Sequence, residues 1–266
     1  MNSGVIPSPP DIRDYPVSAI VPAVLLPAEV RMDDKVLSIR DQWVFPTCVG
    51  KSGASIMSAG LREELSSVFI YSKCKELDGI PNLPGTYPRI ACRVMLHYGT
   101  CTTKTLPYSQ MSDPVPKLKA AHYAEASSRK IKQYARATRL KDIKLALANG
   151  HLVMGCMLVG DNFVFQRGDT TVGPPTGELH GYHAIVVCGY SDARQAVRIA
   201  NSWGSLWGDN GFSWLSYSVL NNPVHWPEAW VIEVGQEEPK KAAEIYPDRI
   251  FRELKRYLKK KTVRSW

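Results

Sequence analysis

A glutamine and a cysteine lie six residues apart in the stretch D-Q-W-V-F-P-T-C-V-G-K-S-G-A-S at residues 41–55. A thiol that loses its proton can attack a carbonyl carbon, and a nearby amide N–H can stabilise the oxyanion that forms. Cys48 stands where a proline-containing loop gives way to small residues typical of a helix, and the dipole at a helix N-terminus lowers the pKa of a thiol. The stretch therefore predicts Cys48 as a nucleophile, with Gln42 as a donor to the oxyanion.

The same stretch contains G-K-S at residues 50–52, which could instead indicate a phosphate-binding loop. That loop has the pattern G-x-x-x-x-G-K-[ST], but Phe45 stands where its first glycine is needed. A loop poor in glycine will not present the converging backbone N–H groups that bind a phosphate. We therefore favour the nucleophile over a nucleotide site.

A nucleophilic thiol also needs a base, and the base needs a group that orients it. Two later blocks supply both: G-Y-H-A-I-V-V-C-G-Y contains His183, and N-S-W-G-S-L-W-G-D-N-G-F begins with Asn201. His183 lies 135 residues after Cys48, and Asn201 follows 18 residues later. The order glutamine, cysteine, histidine, asparagine is thus complete.

This order and the blocks H-A-x-x-x-x-G-Y and N-S-W-G-x-x-W-G-x-x-G-[FY] resemble the papain-like cysteine peptidases. The likeness covers about residues 26–235 and is closest to bacterial and phage-type members of the family. It implies an α+β fold with a helical left subdomain, an antiparallel β-barrel-like right subdomain and an active-site cleft between them. It also implies a cysteine endopeptidase that forms a thioester acyl-enzyme.

The resemblance assigns a role to each residue of the site. Cys48 is implied as the nucleophile, His183 as general base and acid, and Asn201 as the group that orients the histidine. Gln42 is implied as the side-chain donor of an oxyanion hole, with the backbone N–H of Cys48 as the second donor. The resemblance also implies two supporting residues, Trp203 and Trp207. It implies three substrate-binding residues, Gly85, Thr86 and Tyr182.

The loop before the nucleophile departs from the family pattern. The family has glycine after the glutamine and two residues before the cysteine, where this chain has Trp43 and Pro46, and tryptophan after the cysteine, where it has Val49. A loop without glycine has less conformational freedom, which could distort the oxyanion hole. Two other functions therefore stay open: a catalytically weak peptide-binding module, and a Cys-His acyltransferase or amidase on the same fold.

Helix-prone and strand-prone segments divide the chain into two parts. We expect helices over residues 47–65, 66–80, 89–98 and 140–148, and short β-prone runs separated by turn residues from about 150 onward. The pattern indicates an α+β protein with two packed subdomains. We place a helical half at about 40–138 and a β-rich half at about 139–235, within a peptidase domain at 26–235.

Both ends lie outside that domain. Residues 1–25 are rich in proline, and we expect an extended segment that lies along or near the cleft as a short pro-segment. Of the net charge of +8, residues 249–266 contribute eight basic side chains and one acidic one. We expect an amphipathic basic helix over 236–266, either solvated on its charged side or in contact with an acidic partner or a membrane surface. The rest of the chain is nearly neutral, so nucleic acid is not a required partner.

Other expectations concern the cell and the cofactors. No signal peptide or apolar span long enough for a membrane is apparent, so we expect a cytoplasmic protein or one exported without an N-terminal signal. Cys74, Cys92 and Cys101 could hold one disulfide, whereas Cys156 and Cys188 lie in apolar runs and indicate packing thiols. We expect no metal and no cofactor, peptide or protein substrates, and a monomer.

Overall fold

The computed structural model describes residues 3–235. Four helices lie between the first and second strands: α1 (Cys48–Leu61), α2 (Ser67–Leu77), α3 (Pro88–His97) and α4 (Ala120–Ala126). Three more lie among the later strands: α5 (Leu140–Ala148), α6 (Asp161–Val164) and α7 (Tyr217–Leu220). Short 3-10 helices lie at Val17–Ala19, Asp33–Lys35 and Tyr108–Gln110. The helices expected over 47–65, 66–80, 89–98 and 140–148 are confirmed.

Small residues on α1 explain how it becomes the central helix. A Cβ atom added at Gly50 would come within 2.8 Å of the Ser67 carbonyl oxygen of α2, and one added at Gly53 within 3.0 Å of the Met95 sulfur of α3. Both helices therefore approach the backbone of α1 more closely than larger side chains would allow. The helix ends at Leu61, earlier than expected, because Arg62 adopts a left-handed φ of 56°.

The sheet has eight strands: β1 (Glu29–Arg31), β2 (Ile131–Ala137), β3 (Val153–Gly160), β4 (Thr171–Val172), β5 (Leu179–Ser191), β6 (Ala196–Ala200), β7 (Phe212–Ser216) and β8 (Glu228–Val234). Their order is β2-β8-β3-β5-β6-β7-β4, and β1 pairs with β5. Neighbours are antiparallel except β4 and β7. Within residues 3–235 the sheet is open, with β2 and β4 at its edges, and the α+β class is confirmed.

Strand β2 lies before residue 139, where we expected the β-rich half to begin. Strand β2 pairs with β8 over Ile131–Ala137, inside the segment assigned to the helical half. Its sequence, I-K-Q-Y-A-R-A, has no apolar run, and its side chains are buried or half-buried without a regular alternation. Pairing with a distant strand, rather than a local pattern, makes this segment a strand.

The two halves meet where α1 packs on β5. Cys48, Val49, Ala54 and Met57 of α1 are fully buried in the core that also contains β5. Strand β5 carries His183, so the start of the central helix faces the strand that carries the histidine. The contact between one helix and one strand thus positions both groups.

The N-terminal residues run across both halves in extended form. Val5 pairs with Thr86 on the helical half and with Tyr182 on β5, and Pro16 pairs with Arg136 of β2. The basic helix expected over 236–266 lies outside the described residues. All six cysteines are free and buried in this structure, Cys74, Cys92 and Cys101 among them. No helix in residues 3–235 is long and apolar enough to cross a membrane.

Candidate active site

Cys48 is the first residue of α1 and has no exposed surface. The backbone N–H groups of Gly4 and Ala184, the residue after His183, point at its sulfur. Burial raises the pKa of Cys48 to about 11, although these N–H groups act in the opposite direction because they stabilise a thiolate. In this state Cys48 is a neutral thiol, in contact with β5 on one side and with the N-terminal segment on the other.

His183 is oriented by Asn201. Its Nε2 lies 2.8 Å from Asn201 Oδ1, which also accepts a 2.8 Å hydrogen bond from the backbone N–H of Ser202. Since a carbonyl oxygen accepts, Nε2 carries the proton, and Nδ1 of the neutral ring is the basic nitrogen. Nδ1 is buried and, among residues 3–235, makes no hydrogen bond. Burial lowers the pKa of His183 to about 4, while the bond to Asn201 raises it.

Aromatic rings cover the histidine and the asparagine bond. The Trp203 ring lies 4.7 Å from the His183 ring, with 33° between their planes, and Phe163 lies beyond both. Trp207 donates a 2.9 Å hydrogen bond from Nε1 to the Phe163 carbonyl oxygen, which fixes this layer. Of the two tryptophans expected to support the site, Trp203 lies against the imidazole, and Trp207 packs behind it on Phe163 and Trp203.

Gln42 is 2% exposed and its amide has a fixed orientation. Its Oε1 accepts a 2.9 Å hydrogen bond from Ser202 Oγ, and its Nε2 donates a 3.1 Å hydrogen bond to the Phe45 carbonyl oxygen. The backbone N–H of Gln42 donates to the Ser202 carbonyl oxygen at 2.9 Å. Ser202, next to Asn201, thus connects the glutamine loop with the loop that orients the histidine.

The N-terminal segment, which we define as residues 3–6, occupies the cleft beside Cys48. Val5 donates to the Tyr182 carbonyl oxygen at 3.2 Å, Ile6 donates to that of Thr86 at 3.1 Å, and the Thr86 N–H donates to that of Gly4 at 3.1 Å. A Cβ atom added at Gly85 would lie 2.7 Å from the Gly4 carbonyl oxygen. The residues predicted to bind substrate, Gly85, Thr86 and Tyr182, are therefore those that this segment contacts.

Glycine at position 4 allows this close approach. An added Cβ atom would lie 2.3 Å from the Pro46 carbonyl oxygen and 2.8 Å from Cys48 Sγ. Both distances are well below van der Waals contact. The sequence analysis missed Gly4, although a glycine inside a proline-rich lead-in was a signal that a close backbone approach occurs there.

A buried lysine holds the loop that carries Gly85 and Thr86. Lys75 is 5% exposed, and its Nζ pairs with Asp78 at 2.9 Å and donates to the carbonyl oxygens of residues 80, 83 and 85. Thr86 Oγ1 also donates to Asp78 at 2.9 Å. The sequence analysis missed this pair, because a lysine on a helix usually indicates a solvated side chain.

No metal site accompanies these groups in the described chain. Among residues 3–235, no three or more His, Cys, Asp or Glu side chains lie close enough to hold a metal ion. His180, three residues before His183, pairs with Asp161 at 2.8 Å.

Comparisons with known proteins identify a family that this chain resembles. The model of a family described as papain family cysteine protease matches residues 31–224. The chain is 28% identical to an uncharacterized peptidase C1-like protein of Acanthamoeba polyphaga mimivirus over 183 residues, 63% of this chain and 58% of that protein. It is 28% identical to papain of Carica papaya over 130 residues, 48% of this chain and 35% of papain. The matches thus span less than two thirds of the length of these relatives.

Solved structures show a similar fold. Xylellain, a cysteine protease from Xylella fastidiosa, superposes with a TM-score of 0.77 at 26% identity, over 88% of this chain and 97% of xylellain. Procathepsin L 3 from the larval midgut of Tenebrio molitor superposes with a TM-score of 0.68 at 18% identity, over 83% of this chain and 74% of the other.

Proposed function

Because the chain belongs to the papain family of cysteine proteases, we propose that it hydrolyses peptide bonds with Cys48 as the nucleophile. The observation that carries the proposal is the buried hydrogen bond between His183 Nε2 and Asn201 Oδ1, which makes Nδ1 the proton acceptor. Cys48, at the start of α1, lies against the next residue of β5, Ala184. The three side chains come from separate parts of the sequence into one buried region.

The proposed reaction uses these groups in turn. His183 Nδ1 takes the thiol proton of Cys48, and the thiolate attacks the scissile carbonyl carbon. The Gln42 amide and the backbone N–H of Cys48 donate to the oxyanion of the tetrahedral intermediate. His183 then gives its proton to the leaving amine, and a thioester remains on Cys48. Water, deprotonated by the same Nδ1, hydrolyses the thioester and releases the acid product.

The N-terminal segment must leave before this reaction can begin. Residues 4–6 take the backbone hydrogen bonds at Thr86 and Tyr182 where an extended substrate would bind. Burial also keeps Cys48 and His183 neutral, with pKa values of about 11 and about 4. We propose that the full chain is closed and becomes active when the segment is displaced or cut.

A substitution at position 4 tests both parts of the proposal in the full chain. Gly4→Val places methyl groups where the Pro46 carbonyl oxygen and the Cys48 sulfur already lie, so the segment can no longer sit in the cleft. We expect turnover of a fluorogenic peptide panel to rise at least tenfold over the unsubstituted chain, and Cys48→Ala in the same background to abolish it. Gly173→Val is the matched control, because no atom lies within 4 Å of a Cβ added there.

One observation favours a second candidate, a peptide-binding module. The cleft already holds an extended segment through backbone hydrogen bonds while its thiol is neutral. A thiol-directed epoxide separates the candidates when applied to the Gly4→Val chain. Labelling of Cys48 with peptide turnover supports the peptidase. Labelling without peptide turnover supports an acyltransferase or amidase, and absence of both supports the binding module.

A further inference from the structure

The loop between Gln42 and Thr47 lacks the glycines that usually give such a loop its shape. Trp43 adopts a left-handed φ of 51°, an unusual conformation for a bulky residue. Its backbone N–H donates a 2.8 Å hydrogen bond to Asp41 Oδ1, which stabilises the turn locally. Its ring is 61% exposed, so the core does not hold it in place. The conformation at Trp43 therefore depends on contacts other than burial of its own ring.

The hydroxyl group of Tyr108 joins the two ends of the loop. It donates a 2.8 Å hydrogen bond to the Gln42 carbonyl oxygen and lies 2.7 Å from Thr47 Oγ1. Because the tyrosine proton goes to Gln42, the Thr47 hydroxyl is the donor in the second bond. The Gln42 carbonyl oxygen also accepts the Phe45 N–H at 3.1 Å. One hydroxyl group thus fixes the residue that carries the amide donor and the residue before Cys48.

The Tyr108 ring contacts the loop and α1 as well. The Trp43 ring lies edge-on at 5.4 Å and the Phe45 ring at 6.5 Å between centroids. Lys51 Nζ, one turn into α1, lies 2.9 Å from the centre of the Tyr108 ring. These contacts cover the loop on one side and the first turn of the nucleophile helix on the other.

Tyr108 is itself firmly placed. It starts the 3-10 helix Tyr108–Gln110, and it packs against a small core that includes the buried residues Leu106 and Met111. Burial raises the pKa of Tyr108 to about 12, so its hydroxyl group keeps its proton at neutral pH and remains a donor.

We propose that Tyr108 is a positioning residue for the oxyanion hole, whose hydroxyl group sets the distance between Gln42 and the start of α1. The proposal rests on the proposed function, because Gln42 donates to an oxyanion only if the chain is a peptidase. The effect of Tyr108 on the shape of the loop can nevertheless be measured without turnover. In this proposal Tyr108 acts through Gln42 and does not contact the substrate.

We call the two hydrogen bonds of the Tyr108 hydroxyl group, to Gln42 and to Thr47, the clamp. Hydrogen exchange in the full chain tests this clamp without any assumption about activity. Tyr108→Phe keeps every ring contact and removes both hydroxyl bonds. We expect the backbone amides of Phe45 and Thr47, which donate within the loop, to exchange at least tenfold faster. Tyr123→Phe is the matched control, because its hydroxyl group bonds to Lys73 and Glu76 and its ring packs against the same small core. Unchanged exchange in Tyr108→Phe would overturn the proposal.

Kinetics in the Gly4→Val chain then test the link to Gln42. We expect Tyr108→Phe to lower kcat about 10- to 100-fold with KM changed less than about twofold, somewhat less than loss of a whole oxyanion donor. The rate of Cys48 alkylation by iodoacetamide, a displacement that forms no oxyanion, should stay within about twofold. In a Gln42→Ala background the same substitution should cost less than about threefold, because the hydroxyl group acts through Gln42.

The outcomes separate the two proposals. An equal loss of kcat with and without Gln42, or an equal fall in the alkylation rate, would show that Tyr108 only supports the fold and would overturn the clamp. Faster exchange together with a Gly4→Val chain that has no turnover would support the clamp and count against the peptidase.

Discussion

The residue that defines the site is a cysteine whose surroundings keep it uncharged. Cys48 has no exposed surface, and burial raises its pKa to about 11, whereas His183 has a pKa lowered to about 4 by burial. A thiolate–imidazolium pair needs the opposite shifts. Water reaching these two groups removes the burial that causes both shifts, so we expect charge separation only after residues 3–6 leave.

The pH dependence of Cys48 alkylation tests this expectation. In the full chain a thiol with a pKa of about 11 should react faster as pH rises through 9 and 10, without a plateau below that value. In Gly4→Val we expect the midpoint to fall by at least two pH units, because the thiol becomes hydrated and gains an imidazolium partner. Iodoacetamide labelling followed by peptide mapping measures both profiles.

Cys101 provides an internal control for the same measurement. Burial also raises its pKa to about 11, and it lies in the small core of the helical half rather than beneath the N-terminal segment. Its profile should therefore be the same in both proteins. If Cys48 has the same pH profile in the full chain and in Gly4→Val, residues 3–6 do not control its pKa.

At the scale of elements, α1 combines a central packing role with a buried charge. Lys51 is 4% exposed, and burial is the main cause that lowers its pKa to about 7. Its Nζ has the Tyr108 ring as a partner, and ring attraction recovers part of the cost of burying an ammonium group. A helix chosen for stability alone would have an apolar residue here.

Lys51→Met should therefore stabilise the protein in a pH-dependent way. An unfolded lysine keeps its proton up to about pH 10.5, while Lys51 loses it above about pH 7 when folded. Between these values the unfolded state binds more protons, so the stability of the unsubstituted chain rises with pH. We expect the gain at pH 6 to exceed the gain at pH 10 by about 4 kcal/mol, because about three pH units separate the folded pKa from pH 10 and each contributes about 1.4 kcal/mol.

Urea unfolding of both proteins at several pH values measures this gain. Lys73→Met is the matched control, since Lys73 also lies over tyrosine rings but pairs with Glu76, and its pKa is raised. Its effect should be destabilising and constant between pH 6 and 9. A gain from Lys51→Met that does not change with pH would contradict the burial of a titrating charge.

For the whole molecule, the residues that stand in local motifs could be predicted from the sequence, whereas the contacts between distant segments could not. His183 and Asn201 stand in blocks whose residue order is informative by itself, and the small residues of α1 indicated a central helix. Tyr108 lies in a polar stretch with no motif, and its value comes from meeting a loop more than 60 residues earlier in the chain. The strand β2 and the cleft contact of Gly4 likewise depend on partners that no local pattern identifies.

The N-terminal residues are also anchored away from the cleft. Asp14 accepts a bidentate pair from Arg89 at 2.8 and 2.6 Å and a third bond from Arg136 at 3.3 Å, and its side chain is 9% exposed. A buried ion pair that loses one partner leaves an uncompensated charge behind. These contacts therefore hold the residues around Asp14, which follow the segment in the chain, against the body of the protein.

Asp14→Asn should loosen the segment without touching the site. We expect epoxide labelling of Cys48 in the full chain to accelerate about tenfold, which corresponds to about 1.4 kcal/mol of lost docking. Glu63→Gln, which breaks a similar bidentate pair with Arg129 inside the helical half, should leave the labelling rate unchanged. Equal rates in both variants would mean that the segment detaches independently of Asp14.

The three bonds that join residues 4–6 to Thr86 and Tyr182 involve main-chain atoms alone. Such bonds do not discriminate between sequences, so a free polypeptide in extended form could make the same three. What favours the chain's own end is its covalent attachment, which gives a tethered segment an effective concentration on the order of millimolar. Dilute substrates would then compete poorly until the tether is severed, whereas abundant ones could gain entry by mass action.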